Sequence, residues 1–464
     1  MRPQYLLNNS NAKLINFGQL VLTVLLIVFA LSYTLGFFLS SYLQINLTES
    51  LIYHANDGWC DPQFQGLGTH CFGDFYAFMQ FGFDDPWRQS PTAYPPLSLI
   101  FFKSIKFVYL FFNSTNAVLI FYLIVLSFAL VFPVLHLYFT KRIKSLSICL
   151  VMGSLLFALA PTIMVIDRGN NIGFAIPFIY LCFLYLINNQ DKAYLIASTL
   201  LCLWKPQFGI FSFAYIYSRK YKWFFSWIIV TAIGYLASFS IFGFRDVFSN
   251  SRYFLKNLFG YQSYISLPSY FPSNWSFANS ISVVMDLPRL FAAYPSIALE
   301  TVPNLSGSAI TKTSLLFLTL SLVVIYLRSK TYNPSEVFIL LCLVSILTPS
   351  VTFSYYLSVL IPVSVLISYG FINERNQTKL KLTSEDVEIR KLLSNLFATR
   401  YSRIMFIVVI STCFVSWPFT WQYVGVSSTT PASKIGMQWT FGLLLINAWY
   451  LSLLFRQKRV ETIC

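Results

Sequence analysis

Charged residues are scarce in this sequence. Asp, Glu, Lys and Arg make up only 11% of its 464 residues, with 17 acidic residues and three histidines. Soluble globular chains carry about 25% charged residues, so the composition excludes an ordinary soluble domain. Hydrophobic residues make up 56% of the chain and aromatic residues 19%. The composition therefore predicts an all-α integral membrane protein, since such side chains face lipid and the bilayer interfaces.

The formal net charge of +15 is spread over short loops and forms no single patch, which excludes nucleic acid as a partner. The excess of Lys and Arg indicates orientation instead, because basic loops stay on the cytoplasmic side. No small-residue cleavage site follows the first apolar run, residues 17–38. We therefore interpret that run as an uncleaved transmembrane helix.

Long apolar runs predict about 12 membrane crossings, since a helix needs roughly 17 to 25 residues to span a bilayer. The clear runs lie at 17–39, 116–139, 145–165, 172–188, 223–243, 312–328, 354–372, 404–421 and 436–455, and shorter ones at 193–204, 207–218 and 335–348. The proline of "WKPQ" (204–207) breaks a helix and indicates a hairpin tip. With the basic loops inside, both termini are cytoplasmic.

The stretch 92–112 is ambiguous between a crossing and a surface helix. As a crossing, it would place the basic "KRIK" (141–144) on the same side as an acidic outer loop, against the positive-inside rule. Lys103 and Lys106 also lie at i and i+3 on one face of an apolar helix, which suits a helix lying flat with its lysines at the interface. We expect the stretch to lie outside, parallel to the membrane.

This threading gives one transmembrane domain over residues 1–464, with large outer segments at 40–115 and 244–311. The basic cytoplasmic loop 373–403 contains a short amphipathic helix, "SEDVEIRKLLSNLF", and is interpreted as a linker bound to the membrane surface. Cys60 and Cys71 lie close together in the first outer segment and are candidates for a disulfide. His54 and His70 are nearby, but their spacing matches no standard zinc site, so no metal is predicted.

Polar residues that interrupt apolar runs are costly to desolvate and are therefore functional candidates. The threading places all such clusters on the outer face: "GDFYAF" (73–78), "TAYPPL" (92–97), "IDRGNN" (166–171), "WKPQ" (204–207), "PSNWSFANS" (272–280) and "LTPSVTFSYYL" (347–357). Structural explanations stay open for them. Asp74 is also suited to capping a helix, Arg168 to pairing with Asp167, and Lys205 to reaching the interface.

Together these clusters indicate a chemistry. One carboxylate near several cations beside a membrane suits transfer of a group from a lipid phosphate. The carboxylate of Asp74 would deprotonate an acceptor hydroxyl as general base. The cations of Arg168 and Lys205 would neutralise charge on the departing phosphate.

The order and common sidedness of these motifs, over residues 15–372, resemble the GT-C glycosyltransferases, and within them family 87, the polyprenol-phosphate-mannose-dependent mannosyltransferases. The resemblance implies a GT-C-like bundle in the bacterial inner membrane, with membrane-parallel helices and the active site in the first outer loop. It implies a polyprenyl-phosphate sugar as donor, a glycolipid or glycan as acceptor, membrane lipids as surroundings and no further cofactor.

The resemblance also implies site residues. Asp74 matches the catalytic aspartate, although Phe78 stands where the family pattern has a tyrosine, which keeps Asp57 and Asp61 as alternatives. The residues implied to line the donor phosphate and sugar are Arg168, Asn170, Lys205, Tyr94, Asn274, Ser276 and Tyr355, with Lys103 as a further candidate. The implied reaction is a single inverting displacement, in which the acceptor is the nucleophile.

Two rival functions remain open at this point. A glycan polymerase of the O-antigen type depends on arginines in outer loops, for which Arg245, Arg252 and Arg289 are the candidates. A lipid or glycan transporter would instead show inverted repeats and charged residues in the middle of the membrane.

Overall fold

A computed structural model describes residues 72–80, 86–88, 92–264, 281, 307–349, 354–376 and 437–455, with parts of 23–38 and 389–415. These residues are helices joined by short connections, and no strand occurs among them. The predicted all-α class is therefore confirmed for the described part of the chain.

The helices are numbered here in chain order from residue 73. They are α1 (Gly73–Gln80), α2 (Pro96–Phe112), α3 (Thr115–Phe139), α4 (Leu146–Ala158), α5 (Ala160–Arg168), α6 (Ile176–Ile187), α7 (Asp191–Trp204), α8 (Phe213–Tyr217), α9 (Tyr221–Ser240), α10 (Val247–Tyr264), α11 (Gly307–Leu327), α12 (Pro334–Leu347), α13 (Ile361–Asn376), α14 (Arg400–Cys413) and α15 (Met437–Leu454). Five of the described connections contain short 3₁₀ helices, namely Asn171–Ala175, Pro206–Ser212, Phe244–Asp246, Ser329–Thr331 and Ser354–Leu360.

Among the described residues, two helices are long and apolar enough to cross a membrane, namely α3 and α9. The pair α4 and α5 adds a third if the two are counted as one broken span. Further apolar helices coincide with predicted crossings but are shorter than a full span, for example Asn171–Ile187 and Tyr356–Gly370. The apolar helices are compatible with a membrane protein, whereas the count of about 12 crossings stays a prediction.

The predicted third crossing, 145–165, is not one straight helix. The chain bends by 68° between α4 and α5, and Leu159 between them has extended backbone angles. Pro161 explains the break, because proline donates no backbone hydrogen bond and its ring clashes with the preceding turn. The bend gives α5 a direction of its own, and α5 ends at Arg168, one of the predicted site residues.

The amphipathic helix predicted in the loop 373–403 is found. Its described apolar residues Ile389, Leu392 and Leu393 are buried. A Cβ placed on Gly370 of α13 would lie 2.6 Å from Leu393 Cδ1 and 3.0 Å from Ile389 Cγ2, so the two segments are in close contact. The described apolar residues of this helix therefore pack against the protein itself, and the interpretation of the loop 373–403 as a linker bound to the membrane surface stays a prediction.

Aromatic packing fixes α1 and α2 against the helices beneath them. The rings of Phe78 on α1 and Phe102 on α2 are stacked, with centroids 3.5 Å apart. Phe101 packs against Phe174 and Trp204, with centroids 4.6 and 5.3 Å away. These contacts hold the first predicted outer segment over the ends of α5 and α7.

Candidate functional site

The site begins where α1 meets the end of α5. The amide of Phe72, which has a left-handed φ of 65°, donates to the carbonyl of Asp167 at 2.5 Å. Gly169 ends α5 with a φ of 61°, and a Cβ there would lie 3.0 Å from Phe75 Cβ. Two constraints thus require glycine at position 169: the left-handed backbone and the close approach of α1. This contact brings Asp74 next to Arg168.

The carboxylate of Asp74 accepts three side-chain hydrogen bonds. Arg168 donates through Nη2 to Oδ1 at 3.0 Å and through Nε to Oδ2 at 3.3 Å. Asn170 Nδ2 donates to Oδ2 at 2.5 Å. A carboxylate offers about four lone-pair sites, so one site, on Oδ1, remains for a further donor. Asp74 therefore holds these side chains and does not cap α1, and the capping interpretation is wrong.

The amide of Asn170 has a defined orientation. Its Oδ1 accepts from the backbone amide of Ile172 at 2.9 Å and caps the short helix Asn171–Ala175. The Nδ2 group consequently points at Asp74. Asn170 is fully buried, while the Asp74 and Arg168 side chains keep 12% and 14% exposure. The carboxylate is thus rigidly held yet reachable from outside the protein.

Lys205 lies in an aromatic cage beside this pair. The chain is extended at Lys205, as expected for a residue before proline, and this separates it from the end of α7. Its ammonium donates to Tyr356 Oη at 3.1 Å and lies 5.4 Å from the ring centroid of Tyr94 and 5.1 Å from that of Tyr356. Within the described chain, the bond to Tyr356 is the one hydrogen bond that this ammonium donates. An ammonium has three N–H groups, so others remain able to bind an anion.

Burial sets the charge state of Lys205. Desolvation lowers the pKa of its ammonium to about 8, the Asp74 carboxylate acts in the opposite direction, and Arg168 lowers the pKa further. The three charges are therefore close enough to act on one another. A group that can take a proton and a cation that can bind an anion thus lie within electrostatic range of each other.

A layer of aromatic and hydroxyl groups supports the site and was missed from the sequence. Tyr122 Oη donates to the Gly169 carbonyl at 2.8 Å, Trp204 Nε1 to the Asn171 carbonyl at 3.0 Å, and Ser98 Oγ to the Trp204 carbonyl at 2.7 Å. All are buried. The sequence feature that could have revealed Tyr122 and Trp204 is an aromatic residue inside an apolar run. That feature is equally typical of a side chain that contacts lipid.

An apolar cavity of about 420 Å³ lies between α4, α13 and α14, with further walls from the first predicted crossing and α15. Its lining includes Leu159, directly before α5, and Leu360, the last residue of the 3₁₀ helix that carries Tyr356. From Leu360 back to Tyr356 is about 8 Å at a 3₁₀ rise of about 2 Å per residue. The cavity therefore opens near both segments that bear site residues.

The other predicted residues fall in three groups. Lys103 is exposed on α2 and lies over the Phe242 ring at 5.6 Å, away from the cluster around Asp74. Tyr355 lies in the 3₁₀ helix Ser354–Leu360, but its side chain is outside the described residues, and the neighbouring Tyr356 contacts Lys205. The rest lie outside the described residues: Asp57, Asp61, Asn274, Ser276, Cys60, Cys71 and Arg289.

Two of the three rival arginines lie in the described part of the chain. Arg245, in the 3₁₀ helix Phe244–Asp246, and Arg252, on α10, are both exposed. No group of three or more His, Cys, Asp or Glu residues lies together in the described part of the chain. The chain matches no protein-family model and no curated protein.

Proposed function

We propose that this protein is an integral membrane glycosyltransferase of the GT-C type. It would move a sugar from a polyprenyl phosphate to a hydroxyl of a glycolipid or glycan. The observation that carries the proposal is a held and partly exposed carboxylate, Asp74, within electrostatic range of a buried ammonium, Lys205. A general base and an anion-binding cation are what this transfer requires.

The proposed step is a single displacement. The acceptor hydroxyl donates its proton to Asp74 Oδ1, where a lone pair remains, and its oxygen attacks the anomeric carbon. The bond between that carbon and the phosphate oxygen breaks, and the polyprenyl phosphate leaves with the bonding electrons. The anomeric configuration inverts. No second carboxylate takes part, so no covalent glycosyl intermediate forms.

The hydrogen bonds suggest different roles for Arg168 and Asn170 than for Lys205. The sequence assigned Arg168 and Asn170 to the donor phosphate and sugar, and both donate hydrogen bonds to Asp74. We therefore assign them the orientation of the base. Lys205, with N–H groups beyond its bond to Tyr356, is assigned the departing phosphate.

The apolar cavity supports a lipid-linked substrate. Its walls are almost entirely hydrocarbon, and Leu360 in its lining belongs to the same 3₁₀ helix as Tyr356, which binds Lys205. A polyprenyl chain within it would place an attached phosphate near the ammonium. In the same proposal the bundle crosses the bacterial inner membrane about 12 times. Both termini are cytoplasmic, and the site of Asp74 and Lys205 lies on the outer face.

The decisive experiment is release of polyprenyl phosphate by purified protein in liposomes, with a panel of polyprenyl-phosphate sugars and membrane glycolipid acceptors. We expect Asp74→Asn to lower the rate by about 10² to 10⁴, the usual contribution of a general base. Asp246→Asn, on the exposed turn before α10, is the matched control and should not change it. Full activity of Asp74→Asn would contradict the assignment.

The same variant separates the rivals. A polymerase that uses outer-loop arginines would retain activity in Asp74→Asn, and a transporter would move substrate without releasing polyprenyl phosphate. Mass spectrometry of membrane glycolipids from cells with and without the gene would identify the sugar and the acceptor. An unchanged glycolipid profile would count against the proposal.

A further inference from the structure

A side-chain amide on α10 links the two predicted outer segments. Asn257 Nδ2 donates to the carbonyl of Trp87 at 2.8 Å and to that of Thr92 at 3.2 Å. Trp87 and Thr92 belong to the first outer segment, and α10 belongs to the second. One amide group thus bridges parts of the chain that lie far apart in sequence.

The bridged residues in turn hold Tyr94. Trp87 Nε1 donates to the Tyr94 carbonyl at 3.1 Å, and the Tyr94 amide donates to Thr92 Oγ1 at 3.2 Å. Residues 92–94 lie before Pro95, the N-cap of α2, so the helix does not fix their backbone. Their conformation consequently depends on this bracket of Asn257, Trp87 and Thr92.

The bracket is anchored in the apolar core. Trp87 is almost completely buried, with ring centroids 5.0 Å from Phe239 and 5.1 Å from Phe242. Phe239 also packs against Phe254 of α10, at 5.8 Å. The position of α10 is therefore transmitted to Tyr94 by hydrogen bonds and by packing.

Tyr94 is one wall of the cage around Lys205. Its ring lies 5.4 Å from the ammonium and packs edge-on against Phe78 at 4.6 Å. A shift of residues 92–95 would open the cage on this side and admit water to Lys205.

We propose that Asn257 is a positioning residue of the transfer reaction, which holds Tyr94 against Lys205 through the carbonyls of Trp87 and Thr92. It touches no reacting atom and acts only through Tyr94. Its kinetic consequences rest on the proposed glycosyltransferase function, whereas its effect on Lys205 does not.

The test uses Asn257→Asp, which keeps the side-chain shape and removes both N–H donors. We expect the KM for the lipid-linked donor to rise roughly five- to tenfold, the loss typical of one hydrogen bond, with a smaller change in kcat. Lys256→Gln, the exposed neighbour, is the control and should leave both constants unchanged. If Asn257→Asp does not fold, Thr92→Val removes the acceptor of the Tyr94 amide instead and should raise KM in the same way.

A second readout does not depend on activity. Competitive acetylation with acetic anhydride, read by mass spectrometry at Lys205, reports the pH at which its amine titrates. The groups facing it are Asp74, Arg168, Tyr94 and Tyr356. Since desolvation is the main cause of the lowered Lys205 pKa, opening the cage in Thr92→Val, which adds no charge, should move the titration midpoint upward from about 8.

An unchanged midpoint together with an unchanged KM in Asn257→Asp and Thr92→Val would overturn the inference. A wild-type protein that transfers no sugar would overturn the proposed function alone. In that case the midpoint at Lys205 would still decide whether Asn257 positions Tyr94.

Discussion

Lys205 is the residue whose charge depends most on its surroundings. A surface lysine stays protonated to about pH 10.4. Burial in the cage of Tyr94 and Tyr356 lowers the pKa of Lys205 to about 8, while Asp74 partly restores it. Only the ammonium form binds a phosphate, so the proposed function has a pH dependence that the fold itself creates.

Donor affinity should therefore fall as the pH rises through about 8, because the folded pKa of Lys205 lies there and the cation is lost above it. Lys205→Arg should remove this alkaline limb, since guanidinium stays charged throughout. The measurement is kcat/KM for the lipid-linked donor between pH 6 and about 10. An alkaline limb near pH 8 that persists in Lys205→Arg would assign the titration to another group.

Gly169 is a second residue on which the site depends. Its left-handed φ and the closeness of Phe75 both oppose a side chain, so Gly169→Ala should destabilise the protein by about 1 to 3 kcal/mol. It should also push α1 away from α5 and lower transfer activity. Gly153→Ala is the matched control, because a Cβ there meets nothing within 4 Å. That variant should keep or slightly raise stability in a thermal melt.

At the scale of elements, α10 has two different faces. Val247, Asn250 and Phe254 are buried on one side. Phe248 on the other side is 82% exposed, and Phe244 just before the helix is 84% exposed. The segment follows directly on the membrane-length helix α9, and basic residues flank the exposed rings. Such a face is typical of a helix lying in the membrane interface.

A photoactivatable lipid in proteoliposomes should therefore label Phe244 and Phe248 and leave Phe254 unlabelled. Cleavage after Arg245 and Arg252 gives a peptide, 246–252, that contains Phe248 alone of the three phenylalanines. Tandem mass spectrometry of that peptide locates the adduct. Adducts on Phe254 without any on Phe248 would show that α10 faces lipid with its other side.

At the scale of the whole molecule, the described helices enclose an apolar cavity whose lining includes Leu159, directly before α5, and Leu360, in the 3₁₀ helix that carries Tyr356. Helices from distant parts of the chain build it, and the 68° bend between α4 and α5 shapes one wall. In the proposed reaction Asp74 would take the proton and Lys205 would bind the phosphate, while the cavity offers hydrocarbon surface. The two together suit a substrate with a polar head and a long apolar tail.

Filling the cavity should discriminate between long and short lipid tails. Ser364→Leu adds volume at the lining, so the KM for a full-length polyprenyl-phosphate sugar should rise several-fold, with little change for a short-chain analogue. Ser240→Leu is a matched control, because Ser240 makes the same type of bond to its own helix and lies outside the lining. Equal effects on both donors would argue against tail binding in the cavity.

Composition and periodicity were enough to predict the helical class and most helix positions. Proline acts on its own stretch of backbone. Pro206 correctly predicted the end of α7, whereas the break at Pro161 was not predicted because it lies within an apolar run. The grouping of Asp74, Arg168, Asn170, Lys205 and Tyr94 was also predicted, and the described structure brings all five together. Residues that support the site through hydrogen bonds to distant backbone carbonyls, such as Tyr122 and Asn257, gave no distinct signal in the sequence.

The sequence by itself determined where the helices form, since apolar periodicity, prolines and glycines act within a few residues of themselves. It also determined which polar groups are costly to bury and are therefore worth testing. Only the tertiary structure decided their partners: Arg168 and Asn170 hold Asp74, Tyr356 binds Lys205, and Asn257 holds the segment with Tyr94. The physical reason is that a hydrogen bond depends on distance and direction, which are set when distant helices pack.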